Sequence, residues 1–122
     1  MYDVRRTMNS AVLTDTHDLA GPMRDEIDLA AVLHALSDPV RLGIVVELRD
    51  SGDERRCGSF EAPVTKSTLT HHFRVLREAG VICQRQDGTA RLSKLRTDDL
   101  EARFPGLLGA VMGAARQPQA RP

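Results

Sequence analysis

The chain is poor in aromatic residues, since its 122 residues include one Tyr, three Phe and no Trp. A surface on which successive nucleic-acid bases stack needs several aromatic rings, so this scarcity argues against a single-strand binder of that kind. Cysteine is scarce too, and two residues, Cys57 and Cys83, do not make a disulfide framework. We therefore expect reduced thiols and a cytoplasmic protein.

Long apolar runs are also missing from the sequence. No stretch approaches the roughly 20 apolar residues needed to span a bilayer, and no signal peptide is recognisable at the N-terminus, so we expect no membrane partner. A glycine-rich phosphate loop is absent as well, and no third group is recognisable that would orient a histidine base beside Cys57. We therefore do not expect an enzyme.

Charge of one sign is absent overall, because 17 Lys and Arg residues balance 17 Asp and Glu residues. The distribution along the chain is uneven, however. Residues 62–96 carry seven basic and two acidic side chains, whereas residues 1–61 carry seven basic and twelve acidic ones. A cationic segment on a neutral protein is typical of a protein that binds a nucleic-acid groove.

Length and hydrophobic periodicity predict one compact domain at residues 25–115, between a flexible N-terminal arm at residues 1–24 and a disordered tail at residues 116–122. Within the domain the predicted order is helix, helix, short turn, helix, hairpin, helix. The first helix covers residues 25–36. The second begins at the Asp38-Pro39 start signal and ends near residue 50, and Pro105 interrupts the last helix.

The strongest helical signal covers Lys66–Ala79, with Thr65 as the N-cap and Gly80 as the stop. At about 100° per residue the apolar side chains fall on one face, and His72 falls with them, so we expect His72 to pack inside the domain. The opposite face carries four hydrogen-bond donors: Ser67, Thr70, His71 and Arg74. Such a face suits the DNA major groove, whose base edges present acceptors, although a merely solvated face is the alternative.

A β-hairpin is predicted directly after this helix, with strands at residues 81–86 and 89–95 around Asp87-Gly88. We predict a type I′ turn, which needs positive φ at both central positions. The strands carry Arg85 and Arg91 on either side of the turn, and a basic ribbon can lie along the minor groove or the phosphates. A polar helix face followed by a basic hairpin is a more specific signal than either part alone.

Two segments resemble the ArsR/SmtB family of winged-helix regulators. Residues 36–44, LSDPVRLGI, are similar to the family's opening motif, and residues 67–82, STLTHHFRVLREAGVI, are similar to its recognition helix and the start of its wing. The resemblance spans about residues 26–112. It implies a mainly α winged helix-turn-helix fold with a β-hairpin wing, in the order α-α-α-α-β-β-α. It also implies a homodimer on a palindromic operator, and we expect a repressor.

The resemblance and the helix face together indicate the contact residues. For double-stranded DNA these are Lys66, Ser67, Thr68, Thr70, His71, Arg74, Arg77, Arg85 and Arg91. The resemblance implies pairing through the first and last helices, whose apolar stripes exceed what so small a fold needs internally. The residues predicted at the dimer interface are Leu29, Leu33, Leu107, Leu108, Val111 and Met112. Simple coverage of the core is the alternative for these stripes.

Metal-sensing members of the family use a Cys-x-Cys pair before the recognition helix, or Asp, His and Glu ligands on the last helix. Here Cys57 stands alone and the last helix has no histidine, so we predict no metal and no cofactor. A redox-responsive pair of Cys57 and Cys83 is an alternative, since neighbouring Arg55 and Arg56 would favour a Cys57 thiolate. A small-molecule effector, a sensor partner protein and a winged-helix protein-interaction module that does not touch DNA also stay open.

Overall fold

The computed structural model describes residues 16–60 and 64–117. The helices are α1 (Leu29–Leu36), α2 (Pro39–Ser51), α3 (Lys66–Ala79), α4 (Thr97–Arg103) and α5 (Leu107–Ala115). The strands are β1 (Thr16–Asp18), β2 (Arg55–Arg56), β3 (Ile82–Asp87) and β4 (Ala90–Leu95). Short 3-10 helices cover Arg24–Glu26 and Cys57–Ser59. The molecule is therefore mainly helical with a β-hairpin after its third helix, as predicted.

Local capping signals set the ends of the helices that position the site. Asp38 caps α2, because its carboxylate accepts two backbone N–H hydrogen bonds at 2.9 and 3.1 Å, and Pro39 follows where no N–H is needed. Thr65 caps α3 by accepting a hydrogen bond from the N–H of Thr68 at 3.2 Å. Gly80 ends α3 with a φ of 87°, a conformation that favours glycine. The predicted bounds of α3 are confirmed.

Two predicted helices are each divided in the structure. The one predicted at residues 25–36 consists of the 3-10 helix Arg24–Glu26 and α1, because Asp28 begins a new helix by accepting a hydrogen bond from the N–H of Ala31 at 3.1 Å. The last predicted helix is divided into α4 and α5 on either side of Pro105. The second division follows from the missing N–H of proline.

The four strands form one antiparallel sheet in the order β1-β3-β4-β2. In the hairpin Asp87 pairs with Ala90, so the turn residues are Gly88 and Thr89. Gly88 has a φ of 60°, and no residue other than glycine has positive φ in the part of the chain that the structure describes. The predicted type I′ turn is therefore wrong, and positive φ at the first central position alone fits a type II′ turn.

Two short outer strands extend the hairpin, β1 along β3 and β2 along β4. The predicted arm at residues 1–24 is therefore too long, because Thr16–Asp18 already belongs to the sheet, while residues 1–15 lie outside the described residues. At the other end Arg116, predicted in the tail, forms an ion pair with Asp50. Residues 118–122 lie outside the described residues.

The core lies between the helices and one face of the sheet. Its largest fully buried apolar side chains are Ile27, Val32, Val45, Leu48, Leu76, Val81, Ile82 and Met112. Within residues 16–60 and 64–117 no single helix has the length and apolar character to cross a membrane. By length and composition alone, α1 and α2 together would qualify, with a bend of 99° between them.

Candidate nucleic-acid interface

One side of α3 is exposed while the other packs into the core. Phe73 and Leu76 are 3% and 0% exposed on the buried side. The exposed side chains among the predicted contacts are Lys66, Ser67, Thr68, Thr70, His71 and Arg74. Each of these residue types has a side-chain hydrogen-bond donor, and in this structure the hydroxyl of Thr70 donates to the carbonyl of Lys66 at 3.0 Å. The other five present a row of donors to a surface that offers acceptors.

One face of the hairpin turns toward α3. Side chains alternate along a strand, so Gln84 and Gln86 share this face with their cross-strand partners Ser93 and Arg91. Arg91 is exposed, and its Nε donates a hydrogen bond to Oε1 of Gln86 at 3.3 Å. A cleft of about 280 Å³ separates this face from α3 and is lined by Cys57, Thr70, Phe73, Gln84, Gln86, Thr89 and Arg91. Arg91 and Thr70 thus face one cleft from opposite sides.

Sequence reasoning missed Gln86 and Thr89 as polar groups of this cleft. Thr89 is a turn residue, and Gln86, in the turn-proximal part of β3, is the cross-strand partner of Arg91. The available signal was the alternation of the strand, which places Gln86 on the same face as Arg91 once the hairpin is assumed. Their amide and hydroxyl groups add neutral hydrogen-bonding capacity beside the arginine.

Arg85, predicted as a DNA contact, lies on the opposite face of the hairpin. Its guanidinium donates two hydrogen bonds to Glu54, from Nε to Oε2 at 2.6 Å and from Nη2 to Oε1 at 2.9 Å. The hydrogen bond from Arg85 holds the pKa of the Glu54 carboxyl below its usual value. The structure thus differs from the expectation, because the charge of Arg85 is balanced within the chain.

Arg77, also predicted as a DNA contact, is held between α3 and the hairpin. It is half-buried, and its Nη1 donates a hydrogen bond to Oε1 of Gln84 at 2.8 Å. Gln84 is 2% exposed and donates in turn to Oγ of Ser93 at 2.9 Å. In this arrangement Arg77 fixes α3 against β3 and β4 and does not point into the space beside the exposed side of α3.

His72 is buried on the side of α3 that faces α2, which confirms the prediction that it packs inside the domain. Its Nδ1 lies 3.0 Å from Nη1 of Arg41, a second buried polar residue. Sequence reasoning missed Arg41. The available signal was its place in the apolar stripe of α2, about one turn before two buried aliphatic residues.

The two cysteines lie on opposite faces of the hairpin. Sγ of Cys57 lies 3.1 Å from Oγ of Ser93 and accepts a hydrogen bond from Nε2 of Gln84 at 3.3 Å, on the face toward α3. Cys83 precedes Gln84 in the same strand, so its side chain points to the other face, where burial raises the pKa of its thiol. A disulfide between the two would have to cross the sheet, and both cysteines are free, so the structure does not place them as a disulfide pair.

The residues predicted at a dimer interface divide into two groups. Four reach the surface fully or in part: Leu29, Leu33, Leu107 and Val111. The two leucines of α1 are the most exposed, at 44% and 47%. Leu108 and Met112 are 3% and 2% exposed and belong to the core, because the helical repeat of α5 turns them inward. For these two the alternative of core coverage is correct.

Residues 38–83 match the model of the bacterial regulatory protein arsR family. The chain is 38% identical over 81 residues to the HTH-type transcriptional regulator YceK of Bacillus subtilis (strain 168), and the match covers 65% of this chain and 81% of YceK. It is 33% identical over 61 residues to the HTH-type transcriptional regulator MJ1325 of Methanocaldococcus jannaschii, covering 49% of this chain and 68% of that protein.

Two solved structures are similar to the fold. The transcriptional repressor BigR from Xylella fastidiosa superposes with a TM-score of 0.57 at 29% identity, over 75% of this chain and 88% of BigR. The ArsR family transcriptional regulator RHA00566 superposes with a TM-score of 0.56 at 18% identity, over 73% of this chain and 98% of that one, which supports the fold alone. The predicted winged helix-turn-helix fold is thereby confirmed.

Proposed function

The chain belongs to the bacterial arsR family of helix-turn-helix transcriptional regulators, and from this membership we propose that it acts as a homodimeric repressor on a palindromic DNA operator. Proteins of this family are regulators of transcription and not enzymes. The observation that carries the proposal is the exposed side of α3, with its row of donors and Arg91 across the cleft.

In this proposal α3 enters the major groove and the hairpin lies beside it. Ser67, Thr70, His71 and Arg74 meet base edges, and arginine there can pair with the two acceptors of guanine. Lys66, Thr68 and Arg91 contact the phosphates on either side, which sets the position of α3 without reading sequence. The burial of Arg77 and the ion pair of Arg85 favour leaving both out of the contact set.

A second copy of the chain would supply the second recognition helix. The exposed Leu29 and Leu33, with the half-buried Leu107 and Val111, are the apolar side chains that such a pairing would cover. A two-fold axis then places two copies of α3 in successive major grooves, about 34–36 Å apart, and the operator repeats that symmetry as a palindrome.

Repression is favoured by the similarity to BigR, which is described as a transcriptional repressor. A protein bound across a promoter excludes the polymerase, and release would follow from a small-molecule effector or a sensor partner protein in the cytoplasm. Within the described ranges no group of three or more His, Cys, Asp and Glu side chains is placed to hold a metal ion.

A fluorescence titration against the DNA upstream of its own gene tests the proposal. The logarithm of the binding constant should fall linearly with the logarithm of the salt concentration, by about 0.9 for each phosphate contacted. A random duplex of equal length should bind more weakly. Leu33→Glu, which places a charge on the exposed side of α1, should lower both the mass in sedimentation and the operator affinity.

A protein-interaction module gives a different result in the same titration. It would show no salt-dependent binding to either duplex. Equal affinity for the operator and the random duplex would likewise contradict sequence-specific regulation. An operator-bound wild type that sediments as a monomer would contradict the dimer.

A further inference from the structure

Arg41 lies where α1, α2 and α3 meet, and its side chain contacts all three helices. It is 8% exposed. Its Nε donates a hydrogen bond to the carbonyl of Ala35 at 2.7 Å, and its Nη2 donates to the carbonyl of His34 at 3.4 Å, both in the last turn of α1. Its Nη1 lies 3.0 Å from Nδ1 of His72 in α3. One buried guanidinium of α2 therefore fastens α3 to the corner between α1 and α2.

The chemistry of this contact fixes the protonation state of His72. A guanidinium only donates hydrogen bonds, so Nδ1 of His72 must be the acceptor and carries no proton. The ring proton is then on Nε2, which faces Oδ2 of Asp38 at 3.9 Å. A second proton, on Nδ1, would remove the hydrogen bond and place an imidazolium against the guanidinium at 3.0 Å.

Three other groups lie near the His72 ring. Oδ2 of Asp38 lies on its Nε2 side, and the backbone N–H of Arg41 lowers the pKa of that carboxyl, so it stays charged. The ring of His71, the exposed neighbour in α3, has its centroid 5.9 Å away. His34 of α1 contributes its backbone carbonyl to Arg41, while its residue is exposed. Arg41 is the group in hydrogen-bond contact with Nδ1.

The contact matters for DNA because of where His72 lies on α3. Each residue turns a helix by about 100°, so a contact that fixes one buried residue also fixes the direction of every exposed one. His72 packs toward α2, while Thr70 and Arg74, two positions before and after it, belong to the exposed side. A rotation of α3 about its axis would move both away from the base edges that they are proposed to meet.

We propose that Arg41 and His72 are positioning residues for DNA recognition: their hydrogen bond holds α3 in the rotation that presents its exposed side to the bases. Neither residue touches DNA, and the proposal rests on the proposed function, in which α3 reads the operator.

Two substitutions separate the acceptor from the titratable ring. In His72→Asn, Oδ1 takes about the place of Nδ1 and accepts from Arg41 at every pH. In His72→Leu the bulk is retained and the acceptor is lost. His72→Asn should bind the operator as the wild type does. We expect His72→Leu to lose about tenfold in the ratio of operator affinity to random-duplex affinity.

The specificity ratio distinguishes positioning from a purely structural role. A variant that only folds less well binds operator and random duplex more weakly by the same factor, whereas a rotated α3 lowers operator affinity alone. The comparison of the wild type with His72→Asn tests the acceptor itself and therefore stands even where His72→Leu does not fold.

Several outcomes would overturn the proposal. A loss of operator specificity in a folded His72→Asn would do so, and so would a loss in His72→Leu that is equal on operator and random DNA. Nitrogen NMR of the imidazole ring without DNA is an independent readout, in which a proton on Nδ1 at neutral pH rules out the contact with Arg41. A wild type without specific DNA binding would overturn the proposed function, and the NMR result would then report on the contact separately.

Discussion

The two faces of the β3–β4 hairpin use their basic residues in opposite ways. On the face toward α3, Arg91 is exposed and contacts a neutral side chain, Gln86. On the other face, Arg85 is held by Glu54 through two hydrogen bonds. Two arginines on neighbouring cross-strand positions therefore differ in whether their charge is available to a ligand. The difference comes from Glu54, whose carboxylate meets the face that carries Arg85.

Basic residues elsewhere in the molecule also divide into those that form ion pairs and those that are exposed. Away from α3, Arg24 and Arg96 converge on Asp99, which is 6% exposed, with ion-pair distances of 2.7 and 2.8 Å. On α3, Lys66 and Arg74 are exposed. The excess of basic residues at positions 62–96 thus overstates the charge available to DNA, because carboxylates from outside that segment neutralise part of it. Where the acidic residues lie in space decides which side can bind a polyanion.

The largest expected effect is a loss of stability when the ion pairs of Asp99 are broken. Asp99→Asn keeps the shape of the side chain but removes the carboxylate that faces Arg96, whose side chain is 2% exposed. Removing one partner of a buried ion pair costs about 3–5 kcal/mol. Urea unfolding at neutral pH measures this loss, and Asp98→Asn, at the exposed neighbouring position, should stay within about 0.5 kcal/mol of the wild type. Equal losses of unfolding free energy in both variants would contradict a stabilising role for the ion pair of Asp99 with Arg96.

The acid dependence of stability gives a second reading of the same ion pair. Burial raises the pKa of Asp99, but the hydrogen bonds from Arg24 and Arg96 outweigh burial, and the pKa lies below its usual value. A carboxyl with a lowered folded-state pKa stabilises the fold above its unfolded pKa of about 3.9, and this contribution is lost as the pH falls through the folded pKa. Asp99→Asn should therefore flatten the decline of stability at acid pH.

A smaller effect, confined to DNA binding, is expected from Arg74 on the exposed side of α3. Arg74→Ala should cost about 1–3 kcal/mol on the operator and relax the base preference at one position, because a base contact is lost. Arg49→Ala is the matched control, since Arg49 is exposed on α2 and lines the space on the far face of the hairpin. Competition with base-substituted operators measures the preference. A loss of equal size on random DNA would reassign Arg74 to phosphate contact.

Short-range signals explain which parts of this fold could be predicted. Asp38, Thr65 and Gly80 lie next to the helix ends that they set, so the bounds of α2 and α3 follow from residues within one turn. The exposed side of α3 follows from its period alone. The opposite faces of Arg85 and Arg91 were also open to prediction, because in a hairpin with a two-residue turn strand alternation separates them.

The features that could not be predicted depend on contacts between residues far apart in the chain. Nothing near Arg85 in the sequence indicates that Glu54, 31 positions away, will neutralise it. The same holds for Arg41 and His72, which also lie 31 positions apart. β1 and β2 are three and two residues long, too short for alternation to be visible, and their pairing comes from the edges that the hairpin offers. Such features require the tertiary structure.

The smallest expected effect sharpens the comparison of the two hairpin faces themselves. Arg91→Ala should weaken binding to operator and random DNA by a similar factor and reduce the salt slope by about 1, because one phosphate contact is lost. Arg85→Ala removes the same charge from the far face and should leave the slope unchanged, since the guanidinium that it deletes already faces Glu54. Titrations of both variants at several salt concentrations measure the two slopes. If Arg85→Ala reduced the slope as much as Arg91→Ala, the carboxylate of Glu54 would not keep Arg85 from DNA, and availability of charge would not differ between the faces.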